Sequence, residues 1–161
     1  MTIQIGDTLP EGQFIEMGED GPTQVSTADL LGKKTVIFGL PGAFTGTCTT
    51  AHVPSFIRTK DQLAAKGVDG IVCVSVNDPF VMQAWGESTG AAAAGIRMMA
   101  DADGAFTKAL GLAFSAPPVG LFDRSQRYAM VVEGGKVTHL NAEDNPGVCE
   151  LSAGETLLDQ L

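Results

Sequence analysis

No Cys-x-x-Cys pair occurs in this chain of 161 residues, and Cys48, Cys73 and Cys149 are its only cysteines. A thioredoxin-type dithiol and a zinc ribbon both need that pair, so both lack their signature. Three widely spaced cysteines also make a poor disulfide framework, and the expected setting is a reducing cytoplasm. No run of Lys or Arg appears: 10 basic residues stand against 19 acidic ones, for a formal net charge of −9. Phosphate recognition needs a basic footprint, so neither nucleic acid nor an anionic membrane is an expected partner. No stretch approaches the roughly 20 apolar residues of a membrane span. Residues Met1 to Gly6 show neither the basic n-region nor the apolar h-region of a secretory signal. Internal repeats and low-complexity tracts are absent as well. Histidine occurs only at His52 and His139. His52 lies four residues after Cys48, on the same helix face, but two ligands with no third do not make a metal site. No metal or other cofactor is expected, and both histidines read as structural.

With 44% hydrophobic and 18% charged residues the composition is that of a folded domain. The length predicts a single domain over 1–161. The opening segment, through Asp20-Gly21-Pro22, reads as short strands about a turn, and Ser26–Leu31 as a short capped helix. Thr35-Val36-Ile37-Phe38-Gly39-Leu40 is a short apolar run ended by Pro41-Gly42, the pattern of a buried strand. A helix is predicted from about Gly46 to Lys66, kinked at Pro54. Gly70–Val76 reads as a strand. Asp78-Pro79 supplies an N-cap and a first-turn proline for the helix that follows. Ile96–Ala100 reads as a strand, Ala105–Leu110 as a helix, and Arg127–Val132 with Lys136–Leu140 as a hairpin turned at Glu133-Gly134-Gly135. A last helix is expected to open on a capping box at Ser152–Glu155. Phe44, Phe80, Trp85 and Phe114 read most simply as core. Alternating strands and helices give an α/β fold with a mixed central sheet.

Cys48 stands in the first turn of the helix after the buried strand. Unpaired backbone N–H groups and the positive end of the helix dipole face it there, and both favour thiolate over thiol. Only the thiolate is a good nucleophile, and such positions lower a free cysteine from near ~8.5 to roughly 3.5–7.5. Most cysteines are inert core residues. Here Thr45, Thr47, Thr49 and Thr50 add hydroxyls, while Gly42 and Gly46 permit close backbone approach, and an inert thiol needs none of these.

The spacing Pro41-x-x-x-Thr45-x-x-Cys48 resembles the active-site signature of peroxiredoxins. The longer string Pro41-Gly42-Ala43-Phe44-Thr45, then His52-Val53-Pro54-Ser55-Phe56, is similar to the atypical two-cysteine branch, the type-5 or plant type-II peroxiredoxins. Cys73–Met82 and Arg124-Ser125-Gln126-Arg127-Tyr128-Ala129-Met130 match the same branch, so the resemblance covers nearly the whole chain. Two residues depart from it: Gly46, where proline is common, and Ser55, where glycine is common. The resemblance implies a thioredoxin-like fold with an N-terminal extension, a C-terminal hairpin plus helix, and a homodimer.

It also implies a thiol-dependent peroxidase that reduces hydrogen peroxide and alkyl hydroperoxides. The Cys48 thiolate attacks the terminal oxygen, the O–O bond breaks and a sulfenic acid remains. Thr45 accepts the peroxide proton and donates toward the second oxygen, Pro41 shields the sulfur, and Gly46, Thr47 and Phe44 bound the substrate. Arg127 is the fixed cation by the Arg-Ser-x-Arg-Tyr match, with Arg124 a weaker candidate. The residues alone do not choose Arg127 over Arg124, Arg97 or Arg58. On a strand, Arg127, Ala129 and Val131 face one side and Tyr128, Met130 and Val132 the other. Three routes for recycling stay open: Cys149, Cys73, or an external thiol such as glutathione with glutaredoxin, or thioredoxin. The external route is preferred, with Cys149 the better internal candidate. Two rival readings share these residues: a peroxide-sensing redox signalling protein without efficient turnover, and a non-catalytic thioredoxin-fold module with an inert Cys48.

Overall fold

The computed structural model describes residues 1–161. Its elements run β1 (Gln13–Gly18), β2 (Gly21–Ser26), α1 (Thr27–Leu30), β3 (Lys34–Gly39), α2 (Val53–Ala65), β4 (Gly70–Ser75) and α3 (Pro79–Thr89). They continue through β5 (Arg97–Ala100), α4 (Ala105–Leu110), β6 (Ala113–Ala116), β7 (Leu121–Ser125), β8 (Tyr128–Glu133), β9 (Lys136–Ala142) and α5 (Gly154–Asp159). Seven strands form one sheet in the order β2-β1-β5-β4-β3-β8-β9. β3, β4 and β5 pair in parallel, and the remaining pairs are antiparallel. This is the thioredoxin-like arrangement, a mixed sheet flanked by helices.

The central strands are buried on both faces, which is why β3, β4 and β8 read as near-continuous apolar runs. Alternation then sends each residue to one of two cores. Val36, Phe38, Leu40, Cys73, Ala129 and Val131 meet Cys48, Phe56, Trp85 and Leu157 beneath α2, α3 and α5. Ile37, Val72, Val74, Tyr128, Met130 and Val132 meet Phe14, Phe106 and Leu110 on the opposite face. The two-sided reading of the last hairpin therefore holds. Its turn is made by Gly134 and Gly135, both at positive φ (57° and 80°), as a two-residue hairpin requires.

Three expectations are corrected, and one element was not foreseen. The last helix has no capping box: Ala153 is its N-cap without a side-chain bond, because the Ser152 hydroxyl is drawn away to Glu143. Phe44 and Phe80 are exposed and Phe114 is half-buried, so only Trp85 of the four aromatics lies in the core. β6 and β7 form a separate two-stranded hairpin that the α/β pattern did not announce, since Pro117-Pro118 sits at its tip and its strands are short and amphipathic. Pro54 does not kink α2. It occupies the first turn, where the missing N–H costs nothing, and the irregularity precedes it.

Candidate active site

β3 delivers the chain to Pro41-Gly42, and β4 ends beside it at Ser75. Asn77 Oδ1 accepts from the Ala43 backbone N–H (3.0 Å) and from the Ser75 hydroxyl (2.6 Å), tying the loop to the end of the sheet. Helical conformation begins at Gly46, as the sequence predicts, but Cys48–His52 is a π turn in which the Val53 N–H donates to the Cys48 carbonyl. Such turns are rare and frequent at functional sites. The buried Trp85 braces it, with its indole N–H donating to Thr49 Oγ1 at 3.1 Å.

The Cys48 sulfur is fully buried, and Arg127, also buried, reaches it from the entrance of β8. The guanidinium spreads over three partners. Nη2 donates to Cys48 Sγ at 3.2 Å, Nη1 to His52 Nδ1 at 3.0 Å, and Nε and Nη2 to the Pro146 carbonyl at 3.1 and 3.0 Å. A planar fork can hold three partners in this way; an ammonium cannot. The cation beside the sulfur is complementary to a thiolate, so the burial here is not that of an inert hydrophobe.

His52 completes the arrangement, a role that sequence reasoning left at structural hydrogen bonding. Its ring is packed against Phe38 and Phe56, and Nε2–H donates to the Ser152 carbonyl at 3.0 Å. Burial, and then the neighbouring Arg127, lower its pKa to about 3, against a small opposing pull from the Ser152 carbonyl. The ring is neutral, and with Nε2 committed as donor its Nδ1 lone pair faces Arg127. The i,i+4 spacing from Cys48 was the only signal available for this role.

A cleft of about 300 Å³ opens at Arg127, with the covered Cys48 outside its lining. Pro41, Thr45, Gly46, Thr47 and Arg127 form one side, and Phe114, Ala116, Val119 and Leu121 of the small hairpin face them, with Pro146 and Gly147. The Thr45 hydroxyl donates to the Gly42 carbonyl at 2.7 Å, so its lone pairs are open to accept while its own proton is already committed. Phe44 does not line the cleft; its side chain points to solvent at a φ of +61°. Arg124 donates to the Pro41 carbonyl at 3.1 Å and so holds the turn, while Arg97 and Arg58 are paired with Glu16 and Glu155. Of the four arginines, Arg127 alone meets the sulfur.

All three cysteines are free. Cys73 is buried in the same core as Cys48; burial, with the neighbouring Cys48, raises its thiol well above the usual range despite Arg127. Cys149 is half-buried, and burial raises it too. It belongs to a segment docked on the site: the Pro146 carbonyl accepts from Arg127, and the Gly147 carbonyl accepts from the Thr47 hydroxyl at 2.9 Å.

Comparison with known proteins bears on this geometry. The redoxin family model matches residues 4–158. The chain is 48% identical over 161 residues to peroxiredoxin-2C of Oryza sativa subsp. japonica, covering 99% of this chain and 98% of that one. It is 41% identical over 161 residues to peroxiredoxin-2D of Arabidopsis thaliana, with the same coverage. Among solved structures, reduced Prx3 of Vibrio vulnificus in complex with H2O2 superposes with a TM-score of 0.91 at 48% identity, over 99% of each chain. With relatives this similar along their whole length, the chain belongs to the redoxin family and, within it, to the type-II peroxiredoxins, which are thiol peroxidases.

Proposed function

We propose that Cys48 is the peroxidatic sulfur. Its thiolate attacks the terminal peroxide oxygen, an S–O bond forms as the O–O bond breaks, hydroxide or alkoxide leaves and takes a proton from water, and Cys48 is left as a sulfenic acid. Arg127 holds the thiolate and stabilises the charge that moves onto the departing oxygen. Thr45 Oγ1 accepts a hydrogen bond from the peroxide O–H, Pro41 walls the sulfur from bulk water, and Gly46 and Thr47 border the bound peroxide. The observation that carries this reading is the 3.2 Å contact between Nη2 of the cleft-lining Arg127 and Cys48 Sγ. Because the sulfur is covered, the reaction requires the docked Pro146-Gly147 segment or the π turn to give way.

The apolar wall of Phe114, Ala116, Val119 and Leu121 supports alkyl hydroperoxides as substrates beside hydrogen peroxide. An external reductant, glutathione with glutaredoxin or thioredoxin, is the favoured recycling route, because a resolving thiol must also ionise and both Cys73 and Cys149 are raised. Three free cysteines suit a reducing cytoplasm. A homodimer is supported by Phe44, a bulky side chain 56% exposed on a strained backbone, and Phe80, 63% exposed. Both hydrophobic clusters pack on one sheet, which supports 1–161 as one domain.

Steady-state peroxide consumption with glutaredoxin and with thioredoxin, in wild type and in Cys48→Ser, tests the assignment. Turnover with at least one donor and none in the variant is expected. Cys48 oxidation without turnover by any donor favours the signalling alternative instead.

A further inference from the structure

We propose that Glu143 and Ser55 are positioning residues for peroxide reduction, each fixing the Ser152 carbonyl that holds His52 and, through His52, Arg127 against Cys48. The proposal rests on Cys48 as the attacking sulfur.

Glu143 is buried just beyond β9. Its Oε2 accepts from the Glu150 N–H (2.9 Å), the Ser152 N–H (2.7 Å) and the Ser152 hydroxyl (2.6 Å), and its own N–H donates to the Arg127 carbonyl (2.9 Å). Burial pushes its carboxyl up, but the bonds from Ser152, Glu150 and Leu151 together outweigh burial and hold it below its ordinary value. No Lys or Arg bridges it. A buried carboxylate is costly unless its lone pairs are filled. Here Oε2 takes all three of its bonds from one short segment, whose shape the carboxylate therefore sets.

Ser55 clamps the same segment from α2. Its hydroxyl donates to the His52 carbonyl at 2.6 Å and accepts from the Gly154 N–H at 2.9 Å. This is one of the two places where the sequence departs from the pattern it resembles, and the serine supplies bonds that glycine cannot. Between the two clamps lies the Ser152 carbonyl, the acceptor for His52 Nε2–H. If that carbonyl moves, the ring can turn or carry its proton on Nδ1. An Nδ1–H would face the Arg127 N–H donor to donor, and the fork would shift off the sulfur. The titratable and charged groups around Cys48 are Arg127 at β8, His52 on its own helix and Cys73 on β4, with Cys149 beyond Arg127 on the docked segment.

The test uses full-length Glu143→Ala, Glu143→Gln and Ser55→Ala, with thermal melts to establish that each is folded. Three readouts are kcat/KM for hydrogen peroxide, the pH midpoint of Cys48 alkylation by iodoacetamide resolved by peptide mass spectrometry, and the ¹⁵N shifts of the His52 ring. Both alanine variants are expected to lose about tenfold in kcat/KM, to move the alkylation midpoint upward, and to show mixed His52 tautomers. Glu143→Gln, whose amide oxygen can accept the same three bonds, should restore most of the rate and the midpoint. Should Glu143→Ala fail to fold, Ser55→Ala decides by the same midpoint. An unchanged midpoint in folded Ser55→Ala or Glu143→Ala overturns the proposal. Turnover in a Cys48→Ser control would overturn the underlying assignment of the sulfur, a separate outcome.

Discussion

Replacing Arg127 by Lys keeps a positive charge but removes the planar fork that reaches Cys48, His52 and Pro146 together. A charge-assisted hydrogen bond is worth about 1.5–3 kcal/mol, so Arg127→Lys should lower kcat/KM for hydrogen peroxide by about ten- to hundredfold in stopped-flow assays. An unchanged rate would mean that charge alone suffices. His52 predicts an acid limit to stability. Its folded pKa of about 3 lies below its ordinary 6.5, so between those values the unfolded chain binds a proton that the folded chain refuses. Stability is then complete above pH 6.5 and falls as pH drops through that window, by up to about 1.4 kcal/mol per pH unit. The lowered Glu143 carboxyl adds a loss in the same direction at lower pH. Urea unfolding from pH 7.5 to pH 5 checks this. In His52→Gln, which keeps an acceptor and a donor but does not titrate, the slope should flatten.

The small hairpin β6–β7 puts Leu121 across the cleft from Thr45 and Arg127. Burying an apolar side chain of that size against a ligand is worth about 1.5–3 kcal/mol. Leu121→Asn should therefore cost cumene hydroperoxide about tenfold more in kcat/KM than hydrogen peroxide, measured side by side; equal losses would remove the hairpin from substrate choice. This hairpin was also the least legible element, because its strands are four and five residues long and Pro117-Pro118 reads as a break. β3, β4, the Asp78-capped α3 and the last hairpin were legible for the opposite reason: continuous apolar runs and specific turn residues mark them locally. The helix of Cys48 was placed correctly at Gly46, but its π turn depends on contacts with Trp85 and Arg127 that are distant in sequence. The same limit applies to the site. Cys48 follows from its place at the head of a helix, Pro41, Thr45 and Arg127 only from resemblance, and the Glu143–Ser152–His52 connection, in which His52 and Ser152 stand 100 residues apart, from neither.

In the whole molecule, Phe44 lies in the loop that Asn77 ties to the sheet and Phe80 in the first turn of α3, both exposed, and the proposed second copy would cover them. Sedimentation velocity should give twice the chain mass for wild type and a weakened dimer for Phe44→Ser; a monomer at all concentrations would refute the assembly. The central claim is that the sulfur held by Arg127 is the one that meets peroxide. Peptide-resolved mass spectrometry after one equivalent of hydrogen peroxide, with a dimedone trap for sulfenic acid, tests it most directly. The trapped oxygen is expected on Cys48 before any change at Cys73 or Cys149, and any disulfide is expected always to include Cys48. First oxidation at Cys149 or Cys73 with Cys48 left as free thiol would contradict it.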